Sequence, residues 1–189
     1  MKFKIVAAWA LATLGTSAFA QAYVGLAAGR TNTCVYDPAG DCTNDATSVK
    51  ARVGFGWPGT DFAVEGTYTH FGTFRHDSSR GSVDSRIDAV GFGGAWWPQI
   101  GEGFGAVLRG GLEFGRARSE YTYVYLGTPI TSNSSSHSQD FLQPYAGAGL
   151  TYAITRDIRL EADVDVTRVK ATNSPVNARS FMLGAAYAF

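Results

Sequence analysis

Apolar and polar residues alternate with a period of two along most of the chain after Ala22, and no segment carries a helical period. Val49, Ala51, Val53, Phe55 and Trp57 share one face, against Lys50, Arg52, Gly54 and Gly56 on the other. Phe62, Val64 and Tyr68 oppose Ala63, Glu65, Thr67 and Thr69. Phe104, Ala106, Leu108, Leu112 and Phe114 face away from Arg109 and Glu113, and Ile158, Leu160, Ala162, Val164 and Val166 face away from Arg159, Glu161, Asp163 and Asp165. The chain closes on Phe181, Leu183, Ala185, Tyr187 and Phe189, alternating with small or semi-polar residues. Strands are expected near 22–30, 47–57, 61–72, 83–97, 104–116, 139–153, 158–170 and 178–189. A tight turn at Pro58-Gly59 would set Phe55 opposite Phe62 and Arg52 opposite Glu65.

The segment 83–97 breaks the pattern. Val83, Ile87 and Ala89 lie opposite Asp84, Arg86 and Asp88, but Val90, Phe92 and Trp96 then fall on the charged side. Either a bulge near Gly91 or Gly93-Gly94 resets the alternation, or glycines on the inner face make room for a larger ring.

Connection lengths alternate between long and short, which places all the long ones at one end of the sheet and all the short ones at the other. This asymmetry belongs to outer-membrane barrels, with short periplasmic turns and longer external loops. A soluble lipocalin-like barrel, the main competitor, would point the charges outward and the aromatics inward. Trp57, Trp96, Trp97, Tyr152 and Phe189 near the short turns fit a membrane girdle, and a strand ending on a free aromatic needs an apolar receiver. The expected fold is therefore all-β: an eight-stranded antiparallel up-and-down transmembrane β-barrel, with the first and last strands paired.

The N-terminal segment agrees. Lys2 and Lys4 precede an apolar run from Ile5 to Leu14 and a small-residue end at Ala18-Phe19-Ala20. Residues 1–20 read as a secretory signal peptide, too short in its apolar run to span a bilayer, and 21–189 as the barrel domain. Without the leader's two lysines the 16 basic residues fall slightly below the 16 acidic ones, which gives no electrostatic basis for binding nucleic acid. Cys34 and Cys42 would form one local disulfide holding an external loop, since no histidine or second cysteine pair stands at metal-ligand spacing.

Several stretches also resemble the small outer-membrane β-barrel family, of the OmpA transmembrane-domain, opacity and OmpX type. They are Ala22-Tyr23-Val24-Gly25-Leu26, Phe62-Ala63-Val64-Glu65-Gly66-Thr67-Tyr68, Gln143-Pro144-Tyr145-Ala146-Gly147-Ala148-Gly149-Leu150 and the terminal Tyr187-Ala188-Phe189. The resemblance implies eight antiparallel strands, a plugged or narrowly hydrated lumen, and a terminal aromatic strand (Phe181, Tyr187, Phe189) recognised by the barrel-assembly machinery.

The inward charges Lys50, Arg52, Glu65, Arg109, Glu113, Arg159, Glu161 and Asp163 are expected to pair as an interior network, because unpaired buried charge is costly. The alternative is a narrow, weakly selective porin-like path. His137 and Asp140 beside a serine tract could be drawn as a lipid-modifying triad, but adjacent strand residues point oppositely. No catalytic residue, metal site or cofactor is expected. Specificity should lie in the loops 31–46, 73–82 and 117–138, where Tyr121, Tyr123 and Tyr125 suggest a hairpin with an open edge. The function expected is a structural or cell-surface interaction role for a monomeric protein of the bacterial outer membrane. Its expected partners are outer-membrane lipid, lipopolysaccharide contacted through Arg116 and Arg118, and a surface partner of unknown kind.

Overall fold

The computed structural model describes residues 21–33, 44–78, 81–125, 128–130, 136–171 and 174–189. Residues 1–20, expected to be a leader, and Cys34 and Cys42, expected to form a disulfide, lie outside them. The strands are β1 (Gln21–Thr33), β2 (Asn44–Gly56), β3 (Phe62–Ser78), β4 (Gly81–Trp96), β5 (Phe104–Tyr125), the short β6 (Thr128–Ile130), β7 (Ser136–Ala153), β8 (Ile158–Ala171) and β9 (Ser174–Ala188). Every pairing is antiparallel and, in the eight-stranded wall, sequential apart from β1 with β9, which closes the barrel from Tyr23↔Ala188 to Thr33↔Ala178. The Phe189 amide adds a last bond to the Ala22 carbonyl at 2.9 Å. Closure satisfies the backbone groups that an open sheet would expose to hydrocarbon. Eight strands form the wall, and β6 turns back on the top of β5.

The wall is inverted relative to a soluble barrel. Leu26, Phe92, Phe104, Leu150, Phe181 and Leu183 are each more than half exposed on the outside, while Lys50, Arg52, Glu65, Arg109, Glu161 and Asp163 are buried inside. Around the short-turn end Phe62 stacks on Trp96 at 6.2 Å, Phe104 tilts on Tyr152 at 4.8 Å, and Tyr187 meets Phe189 edge-on at 5.0 Å. This is the aromatic girdle of a membrane barrel. Trp97 is an exception to the expected girdle. It follows outward Trp96, so alternation turns it into the lumen, where its ring meets Tyr23 edge-on at 5.7 Å.

The β2–β3 turn is longer than a two-residue hairpin. Gly59 takes φ +74° and Thr60 donates to the Trp57 carbonyl, so Phe55 pairs with Val64 and Arg52 with Thr67. The shift from the expected register is an even number of residues, so every side chain keeps its face.

In β4 the alternation runs unbroken. Ile87, Ala89, Gly91 and Ala95 point inward, and Arg86, Val90, Phe92 and Trp96 point outward. The bulge lies in its partner: β3 pairs His70 with Asp88 and Gly72 with Ile87, leaving Phe71 extra. Gly72 adopts φ +98°, a conformation that disfavours any side chain, and a Cβ there would stand 2.6 Å from that of Ala46. The bulge brings both Phe71 and Phe74 inward. The glycines of the inner face do make room for a ring. A Cβ on Gly93 would come within 2.7 Å of the Tyr145 hydroxyl oxygen and one on Gly111 within 2.8 Å of its ring.

Candidate functional site

Two features can carry function: the interior of the barrel and its outer rim. Strand alternation sends Lys50 and Arg52 of β2, Glu65 of β3, Arg109 and Glu113 of β5, and Arg159, Glu161, Asp163 and Asp165 of β8 to the inside. Barrel closure then brings them together across long stretches of sequence. The Arg109 guanidinium donates to Glu65 at 3.0 Å, Asp163 at 2.8 Å and Glu161 at 3.0 Å. Arg52 donates to Asp163 at 3.0 Å and to Glu161, and the Lys50 ammonium donates to Asp165 at 2.8 Å. The Tyr23 hydroxyl completes Glu65 at 2.5 Å.

Six of the eight expected network residues are thus ion-paired. Arg159 instead lies with its guanidinium carbon 4.1 Å from the Trp97 ring centroid, and Arg109 packs over the same ring at 4.8 Å. Glu113 is buried on the same inner face, and among the described residues no ion pair reaches it. Asp165 and Tyr23 belong to the network although the expected set omitted both. Their inward register was the available signal. Tyr23 fits because a Cβ on Gly54 would fall inside its ring. The charged layer closes the lumen, since the side chains of Arg52, Glu65, Arg109, Glu161 and Asp163 are at most 1% exposed.

Above that layer the β3–β4–β5–β7 side of the interior becomes apolar, while Thr31, Ser48 and Ser180 stay buried on the β1–β2–β9 side, with the Thr31 and Ser180 hydroxyls 2.6 Å apart. Phe71, Phe74, Ile87, Ala89, Ala117, Phe141, Ala46 and Ala178 form one buried cluster. Below it Tyr23, Ala63, Ala95, Val107 and Ala188 pack with Trp97.

At the rim, the stretch 73–82 is not a loop: β3 and β4 continue to a rung at Ser78↔Gly81. Likewise β5 runs to Tyr125, but its backbone is paired with β4 as far as Tyr123 on one side and with β7 and β6 on the other. The hairpin edge expected at the tyrosines is therefore occupied at Tyr123, while Tyr121 and Tyr125 are paired on one side each among the described residues. The open edge belongs to β7. The β7–β8 ladder starts at Tyr145↔Thr167, so Ser136 to Gln143 are paired on the β5 side alone among the described residues, while the Pro144 carbonyl accepts from the Thr167 hydroxyl at 3.4 Å. Pro144, lacking an amide hydrogen, stands where that ladder stops. The β2–β3 ladder similarly starts at Val49↔His70. The outer end thus divides into a β3–β4–β5–β7 sheet and a β8–β9–β1–β2 sheet.

The outward face of the first sheet carries polar clusters above the apolar band. Asp88 accepts from Tyr68 at 3.0 Å and Arg86 at 3.1 Å, and lies 2.8 Å from His70 Nδ1. Partial burial pushes its carboxyl up, but the hydrogen bonds from His70, Tyr68 and Arg86 outweigh this and hold it below the ordinary range. Arg116 donates to Asp140 at 2.6 and 3.1 Å, which lowers the carboxyl and raises the guanidinium. Asp140 is therefore engaged by Arg116, and the side chain of His137 lies outside the described residues.

Comparison with known proteins agrees with this geometry. The neisserial surface protein NspA is 16% identical, covering 89% of this chain and 97% of its own, with a TM-score of 0.62. A major outer membrane protein from Thermus thermophilus is 14% identical, covering 90% and 99%, with a TM-score of 0.66. The Yersinia pestis attachment invasion locus protein Ail, crystallised with the heparin analogue sucrose octasulfate, is 18% identical, covering 90% and 97%, with a TM-score of 0.54. At these identities the likeness establishes the fold. No protein of curated function matches the sequence. Residues 5–189 match the outer membrane protein beta-barrel domain, and the chain belongs to that family.

Proposed function

We propose that this protein resides in the bacterial outer membrane, after removal of residues 1–20, and serves a cell-surface interaction role through its outer strand extensions rather than as a channel. The observation that carries this reading is the closed lumen. Two arginines and three carboxylates, all essentially inaccessible, bridge the interior between β2, β3, β5 and β8. Eight strands leave room only for such side-chain filling. What remains accessible is the rim, where, among the described residues, β7 offers backbone unpaired on its β8 side from Ser136 to Gln143, an edge suited to an extended segment of a partner by strand addition. The surface and attachment roles named for two of the similar barrels support the same reading.

Two measurements test it. Purified protein in planar bilayers is expected to show no discrete openings. Openings that vanish on charge reversal at Arg52 or Glu65 would establish the porin-like alternative instead. Replacing residues 114–143 by a short turn, which removes the whole edge and leaves β5 and β7 about ten residues each to span the membrane, is expected to preserve a heat-modifiable folded band on a gel while abolishing adherence of expressing cells to a matrix-coated surface. Undiminished adherence would overturn the surface role.

A further inference from the structure

Three arginines occupy outward positions on successive strands at the top of the apolar band: Arg30 of β1, Arg179 of β9 and Arg168 of β8, all exposed. Arg30 stands opposite Phe181, and Arg179 opposite both Asn32 and Val166. Arg168 stands opposite Asn177. Each arginine is thus the diagonal neighbour of the next, with Cβ atoms about 7–8 Å apart. In this direction the rungs fall toward the short-turn end, as the rung from Tyr23 through Ala188 to the turn residue Asp157 does. In strands tilted by about 35–45°, a climb of two residues per strand offsets that fall, so the three side chains lie near one level. The apolar wall begins immediately below, with Phe181, Leu183, Val164, Val166 and Leu26 exposed.

This row is neutralised only in part, by one long, exposed pair at Arg30. Asp45 is 3.9 Å from Arg30 and accepts its hydrogen bond from Asn32, at 2.9 Å. Among the described residues no carboxylate lies within ion-pair distance of Arg168 or Arg179. On the opposite face, by contrast, Arg116 has Asp140 and Arg86 has Asp88. Like charges at neighbouring positions repel, and a row of them at headgroup height is suited to an anion held in the membrane itself.

We propose that Arg30, Arg179 and Arg168 form a binding site for the phosphates of outer-leaflet lipopolysaccharide, whose acyl chains lie along Phe181, Leu183 and Val164. Three guanidiniums spread over about 15 Å by diagonal spacing suit a headgroup bearing more than one phosphate. This rests on the outer-membrane placement above, and it moves the lipopolysaccharide contact from Arg116 and Arg118 to the other side of the barrel.

The test is binding of bisphosphorylated lipid A to the full-length barrel in detergent micelles, read by native mass spectrometry. The combined Arg30→Gln, Arg168→Gln and Arg179→Gln variant should lose affinity on the order of a hundredfold, about fivefold per arginine near the surface. The three Lys replacements should retain most of it. The control triple Arg86→Gln, Arg116→Gln and Arg118→Gln should bind as the unaltered protein does. Lipid A stripped of both phosphates should bind no better than the first variant, and equimolar sucrose octasulfate should fail to displace intact lipid A. Unchanged affinity in the first triple, equal loss in the control triple, or displacement by the soluble polyanion would each overturn the proposal. Absence of a heat-modifiable folded band in the unaltered protein would overturn the barrel placement itself.

Discussion

The middle and the outer third of the lumen are enclosed by the same strands and are both buried, yet opposite forces hold them. In the middle, Arg109 bridges three carboxylates contributed by β3 and β8. Four centres held by directional hydrogen bonds fix the relative positions of distant strands, and none can be removed without stranding another charge. In the outer third, Phe71, Phe74, Ile87 and Phe141 pack without a polar atom among their side chains. Their attraction is non-directional, and the wall around them is incomplete, since β2 and β7 each run there with one edge unpaired among the described residues. The ion pairs specify the barrel's closure, while the apolar cluster supports extensions that have parted into two sheets.

Substitution should separate the two regions. Arg109→Ala leaves Glu65, Glu161 and Asp163 short of a cation in a closed interior, and should cost about 3–5 kcal/mol in urea unfolding of the folded barrel. A loss within about 1 kcal/mol, the range of a solvent-exposed pair, would show that water reaches the layer and that the lumen is open. Phe71→Ala removes a ring from the outer cluster. It should cost about 3 kcal/mol, at the low end for such a truncation, because the adjoining unpaired edges let the site close over the cavity. A cost exceeding that of Arg109→Ala would reverse the ranking of the two regions.

The smallest effect is expected on the outer surface. There the Asp88 carboxyl is held below its ordinary value of 3.8 by His70, Tyr68 and Arg86. A depressed folded value means that the contribution of this cluster is complete above the unfolded carboxyl's range. It is lost only as pH falls through the folded value, below 3.8. An NMR titration of Asp88 should therefore have its midpoint below 3.8, and Tyr68→Phe with His70→Ala should move it upward. A midpoint unmoved by the double substitution would show that these neighbours are not its cause.

Much of the architecture is legible in the period-two pattern. Alternation alone distinguishes Phe55 from Arg52 and Leu160 from Glu161, because a strand has only two faces and these two kinds of residue cannot share a solvent. The outer strand extensions were less legible, since Thr73 and Asp77 do not announce a strand. Their pairing follows from the hydrogen-bonded wall continuing above the membrane. Segment 83–97 left two readings open for a related reason. Ile87 and Ala89 are apolar, but the bulge at Phe71 lets them pack inside against phenylalanines, whereas Arg86 and Asp88 stand outside where the wall has left the lipid.

By itself the sequence determined strand number, two-sidedness, the short-turn end and most of the charges that had to be enclosed. The tertiary structure alone decided which charges meet: Arg52 with Glu161 and Asp163 rather than Glu65, Lys50 with Asp165, and Arg159 with Trp97. It also decided that Arg30, Arg179 and Arg168 stand in one row. Faces are local, set by successive residues of one strand, whereas partners depend on register summed around a closed barrel, where a turn one or two residues longer changes who stands opposite whom.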